Sequence, residues 1–114
     1  MTTYEARMKA LWRDDPTEAS MTIDLRLDAQ TRSISAPWDL FGAFDPDGDY
    51  SRPFILRRDG KIDFGVSAPH RWQTNLRAIR VGIGTRFQVF WNETDAGEYE
   101  VVKVARLGLR DNGE

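Results

Sequence analysis

The sequence predicts an α+β fold that is mainly β: an N-terminal helix packed on a strongly bent antiparallel sheet, or small open barrel, of about six or seven strands. Three observations predict it. The first dozen residues place apolar side chains at helical spacing, and from Met21 onward the period changes from 3.6 to 2. The strand-like runs are joined by hairpin-length connections, which argue for antiparallel pairing rather than βαβ units. At 114 residues the chain is read as a single domain over 1–114 with one hydrophobic core.

Residues 2–12, "TTYEARMKALW", open the expected helix, placed at about 2–13. Thr2 and Glu5 fit a capping box, and Tyr4, Met8, Leu11 and Trp12 fall on one helical face. The run "DDP" at 14–16 stops it, because the residue before a proline is pushed out of helical geometry. A half-buried strand follows at about 20–27, where Met21, Ile23, Leu25 and Leu27 alternate with Thr22, Asp24 and Arg26. After a turn at "DAQT", residues 32–36 read as a short return strand. Residues 37–44, "PWDLFGAF", read as a loop or one helical turn whose Trp38, Leu40, Phe41 and Phe44 plug one end of the core.

Strands at 53–58 and 61–66 form the clearest hairpin, joined by Asp59-Gly60 as a two-residue type I′ turn. With Arg58 facing Lys61, that turn puts Ile55, Arg57, Ile62, Phe64 and Val66 on the core face and Phe54 and Leu56 on the other. Further strands are expected at 76–83, 86–92 and 98–107, the last two apolar on both faces, as central strands or a closed sheet would be.

Composition removes several chemistries. Cysteine is absent, so disulfides, thiolate metal sites and cysteine nucleophiles are excluded. His70 is the one histidine, which leaves only hard, oxygen-bound ions as metal candidates. No apolar run reaches the ~18 residues of a membrane span. Glu5, Arg7 and Lys9 stand where a signal peptide would be apolar, so a cytoplasmic protein with no membrane contact is expected.

"FDPDGDYS", residues 44–51, sets Asp45, Asp47 and Asp49 at the spacing of the first three ligands of a calcium loop. The rest of that pattern fails: Tyr50 stands where the loop needs glycine and Leu56 where it needs a bidentate glutamate. Pro46-Asp47-Gly48 reads instead as a turn. Gly82 and Gly84 read as a strand bend, since no helix follows them and Phe87 takes the third glycine position of a dinucleotide fingerprint. In "HRW", residues 70–72, a titratable ring, a guanidinium and an indole meet in a loop, read mainly as structural anchors. No nucleophile, Walker or lactamase pattern occurs, so neither catalysis nor a cofactor nor a metal is expected.

Net charge is −2, but its distribution is uneven. Between residues 52 and 86, Arg52, Arg57, Arg58, Lys61, Arg71, Arg77, Arg80 and Arg86 face only Asp59 and Asp63, and acidic stretches flank this block on both sides. The leading expectation is a small cytosolic protein-interaction module, an inhibitor, an immunity or antitoxin-like protein, or an adaptor. It would hold a protein partner through the acidic loop residues Asp45, Asp47, Asp49, Glu93, Asp95 and Glu98, with aromatic and arginine side chains supplying hot spots. The alternative is a domain that binds anions or single-stranded nucleic acid through Arg57, Arg58, Arg71, Trp72, Arg77, Arg80 and Arg86.

Overall fold

The segment expected to be a helix is a strand. In a computed structural model, which describes residues 2–45, 51–65, 72–92 and 94–107, Thr3–Trp12 forms β1, and no α-helix occurs among the described residues. The α+β assignment is therefore corrected to nearly all β, and the open sheet to a closed one. The eight strands are β1 (Thr3–Trp12), β2 (Ser20–Asp28), β3 (Leu40–Asp45), β4 (Arg52–Leu56), β5 (Lys61–Asp63), β6 (Trp72–Thr74), β7 (Arg86–Phe90) and β8 (Ala96–Arg106). Each pairs antiparallel with its neighbour in sequence, and β8 pairs back onto β1 to close an up-and-down barrel.

The physical reason for the correction lies in β1 itself. Ala, Glu, Arg, Met, Lys and Leu all favour helices, so local propensity and the spacing of Tyr4, Met8, Leu11 and Trp12 agree on the wrong answer. The same residues also alternate: Ala6, Met8 and Ala10 are buried, while Glu5, Arg7 and Lys9 are exposed. As a strand, β1 bonds to β2 on one side and β8 on the other, which an isolated helix on a sheet would forgo. Across β1 and β2 the outer face is ion-paired, with Arg7 Nε 2.7 Å from Asp24 and Arg26 Nη2 2.5 Å from Glu5. This outer face is charged and the interior apolar, the reverse of a lipid-facing barrel. No helix of the described residues is long and apolar enough to cross a membrane.

The interior alternates small and large side chains. Ala6 and Ala10 on β1 are buried beside large side chains: Tyr99 and Phe87, whose rings stack at 5.7 Å, and Met8, Met21, Ile23, Leu25, Leu56 and Val89 fill the rest. One mouth is stoppered by rings from five strand ends. Trp72 meets Phe64 at 4.9 Å and Phe44 at 5.0 Å, and Trp91 meets Trp12 at 5.6 Å, all three edge to face, while Trp72 and Trp91 meet tilted at 6.2 Å. The opposite mouth is closed by a short 3-10 turn, Leu76–Ala78, with Leu76 and Val81 buried.

Three further segments differ from expectation. Residues 37–44 contain β3 rather than a loop. Residues 32–36 make only isolated bridges, Leu27 to Ile34 and Ser33 to Arg80, and 76–83 hold the 3-10 turn and a connection instead of a strand. In the β4–β5 hairpin Leu56 pairs with Ile62, and the Arg57 amide donates to the Lys61 carbonyl. The loop is thus three residues long, Arg58 to Gly60, with Gly60 at φ +91°. One extra loop residue exchanges the two faces, so Phe54 and Leu56 point inward while Ile55 points out.

Candidate functional site

Of the six acidic residues expected to hold a partner, the structure describes three: Asp45, Asp95 and Glu98. Asp47, Asp49 and Glu93 lie outside the described residues, as does Arg71 of the alternative set. Asp45 closes β3 opposite Ser20 and is half-buried. Asp95 is turned into its own loop, where its carboxylate accepts from the Asn92 amide at 3.0 Å and its carbonyl accepts from the Trp91 backbone N–H. Glu98 accepts from Arg13 at 3.2 Å. Among the described residues no group of three or more His, Cys, Asp or Glu side chains is placed to hold a metal.

The arginines are gathered and then divided. Arg57, Arg58, Arg77, Arg80 and Arg86 all lie at the mouth closed by the 3-10 turn, but three of them are engaged within the molecule. Arg57 sits between Asp63 at 2.6 Å and Asp39 at 2.9 Å; hydrogen bonds to Asp63 first and Asp39 second push its pKa further up. The same contact with Arg57, joined by the Gly65 amide, lowers the pKa of Asp63. Arg86 lies 3.5 Å from Glu100. Arg77 is a bolt: its guanidinium donates to the carbonyls of Ala36 at 2.7 Å, Trp38 at 2.8 Å, Arg57 at 2.9 Å and Leu56 at 3.1 Å, tying the β2–β3 connection to β4. Arg58 and Arg80 make no ion pair with any described residue. Trp72, the proposed stacking platform for a base, belongs to the aromatic stopper at the other end of the barrel.

The outer surface of β3 and β4 is different in kind. Leu40, Phe44, Phe54 and Leu56 are buried, and the Phe54 ring lies where a side chain on Gly42 would be, 2.5 Å from the position of its missing Cβ. That close approach needs glycine and commits the intervening residues to the outside. Phe41 is paired with Ile55 and Ala43 with Pro53, so four uncharged apolar residues occupy the outer face. Phe41 is 67% exposed. Trp38, 48% exposed, stands three residues before it with the Arg26 guanidinium 5.2 Å from its ring centroid. The Asp39–Arg57–Asp63 group supplies charge at the margin. Helical spacing and a two-residue turn would put Phe41 in the core plug and Ile55 on the core face; both lie on the outer face instead. The missed signal is the alternation Leu40, Gly42, Phe44 against Phe41, Ala43 within "LFGAF", an inward set and an outward set at strand period.

No protein-family model, curated protein or solved structure matches this chain.

Proposed function

We propose that this protein is a non-enzymatic protein-interaction module of the inhibitor, immunity or adaptor kind, and that its partner docks on the outer face of β3 and β4. The observation that carries the reading is the Phe41–Ile55 and Ala43–Pro53 block, an uncharged apolar face on a barrel whose β1–β2 face is laced with ion pairs. Apolar patches rimmed by charge mark interaction sites, and an aromatic anchor inside such a rim is a typical hot spot. To this face the partner presents an apolar surface; Asp95 and Glu98 lie exposed away from it, each with a hydrogen bond to a neighbour, Asn92 and Arg13. A cytoplasmic location belongs to the same proposal.

The test is comparative affinity purification from the source cell, with wild-type protein and Phe41→Glu as baits. At least one protein recovered with the wild type should fall about 30-fold with the variant, the equivalent of a hot spot worth ~2 kcal/mol. The variant should keep its circular dichroism and melting temperature, because residue 41 contributes little to the core. If no protein separates the two baits, the docking face is refuted.

A further inference from the structure

β7 pairs with β8 only as far as Glu100, with Val101 held by Thr85 and Gly84, whereas β1 follows β8 to Arg106. From Val102 to Arg106 the far edge of β8 is therefore unpaired among the described residues. The Leu107 amide donates to Glu5, which fixes the alternation: the backbone groups of Lys103 and Ala105 face β1, and those of Val104 and Arg106 face outward. The corresponding stretch of β2 is protected, because Ser35 donates to Arg26 and Asp28 donates to Ser33. Exposed edges of this kind accept a further strand.

A second, independent feature borders this edge. Lys9 and Lys103 stand directly opposite each other across β1 and β8, next to the bulge at Lys9/Ala10, and both are exposed. Like charges in that position oppose pairing. Neither has an ion-pair partner among the described residues, in contrast to the neighbouring Arg7 and Arg26. Arg106 lies 4.3 Å from the Tyr4 ring centroid and has no carboxylate partner among the described residues. Val102, 39% exposed, and Ile83, 74% exposed, add apolar surface near the same edge.

We propose that the β8 edge from Val102 to Arg106 receives an extended acidic segment of a partner protein, which adds as a further strand. Its backbone pairs with Val104 and Arg106, and a carboxylate on its outer face sits beside Lys103 and completes a Lys9–Lys103–carboxylate row. Its inner-face residues are apolar and meet Val104. Charge selects this occupant over a second copy of the chain, since edge-to-edge pairing of two β8 strands would bring Lys103 and Arg106 against the same cations. The inference goes beyond the β3–β4 docking face and does not rest on it.

The probe is a fluorescein-labelled octapeptide of alternating Glu with Val or Thr, followed by fluorescence anisotropy at low salt. Saturable binding is expected, weakened at least tenfold by Lys103→Glu. That variant should melt no lower than the wild type, because it replaces a like-charge pair with an attractive one. Two N-methylated peptides separate strand addition from charge attraction. Methylating the alternate amides that face β8 should abolish binding, methylating the other set should preserve it, and slowed amide exchange should appear at Val104 and Arg106. Absence of binding overturns the proposal, as does an equal response to the two methylated peptides. A single-stranded oligonucleotide that displaces the peptide, or a dimer in sedimentation that Lys103→Glu dissociates, overturns it in favour of another occupant. Phe41→Glu should leave peptide binding unchanged, so the two surfaces fail or survive separately.

Discussion

Replacing Arg77 with Met should lower the stability of the barrel by about 3 kcal/mol. The side chain keeps its length and loses its donors, so four carbonyls at the closed mouth lose a charged partner at once. Hydrogen bonds to charged groups contribute ~1.5–3 kcal/mol when buried. Two of these four, to Ala36 and Leu56, are only partly buried and the other two are exposed to solvent, which reduces them to roughly 0.5–1 kcal/mol each. Burial lowers the Arg77 pKa, so the guanidinium bears a desolvation cost that its carbonyl partners offset. For a chain of this size the loss corresponds to a melting temperature lower by roughly 12 °C. Arg77→Lys separates geometry from charge: a compact ammonium cannot fork across carbonyls from two connections, so about half the loss should persist. Urea unfolding followed by tryptophan fluorescence measures both. A Met variant within 1 kcal/mol of the wild type would refute the bolt, and a Lys variant equal to the wild type would reduce it to a simple positive charge.

Other perturbations probe the core and its titrating groups. Tyr99 is fully buried with no partner for its hydroxyl among the described residues, so Tyr99→Phe should raise stability by about 1 kcal/mol near neutral pH, measured by urea midpoint. Burial also raises the phenol pKa above its ordinary value near 10, so the wild type should lose stability as pH rises beyond ~10 and the Phe variant should lose less. Gly97→Ala places a methyl 2.6 Å from the Trp91 ring and 3.1 Å from Trp12 Nε1; a loss of ~1–3 kcal/mol with an altered tryptophan emission spectrum is expected, and an unchanged spectrum would count against this packing. Asp28 has its pKa lowered by the backbone amides of Thr31 and Gln30, and Asp63 by Arg57. A depressed folded-state pKa stabilises above the unfolded value of ~3.9 and is lost as pH falls through it, so Asp28→Asn should flatten the acid limb of the stability curve between pH 5 and 3.

The β character of the chain was legible where burial is one-sided. Along β2 the apolar and polar residues alternate without exception from Met21 to Leu27, and the strand stands where that alternation puts it. At β1 two periodicities coexist in the same ten residues, and only the presence of β2 and β8 on either side decides between them. Such pairing is long-range information that no local window contains. The β4–β5 turn failed for a smaller reason. Asp-Gly suits two-residue and three-residue loops alike, and a single residue of difference exchanged Ile55 with Phe54 and Leu56 and hid the apolar outer face of β3 and β4. The arginine block was visible as composition, but its division among Asp39, Asp63, Glu100 and four carbonyls depends on contacts between segments far apart in sequence.

Closing the barrel through β1 also sets a timetable for its making. Translation finishes β1 at Trp12 and does not begin β8 until Ala96, more than eighty residues later. At ~5–20 residues per second that interval lasts roughly 4–17 s. β2 can zip onto one side of the nascent strand at once, while its other side waits as an unsatisfied template beside the ribosome. Glu5, Arg7 and Lys9 put charges of mixed sign along that waiting strand, the kind of residue that disfavours mispairing of an exposed edge.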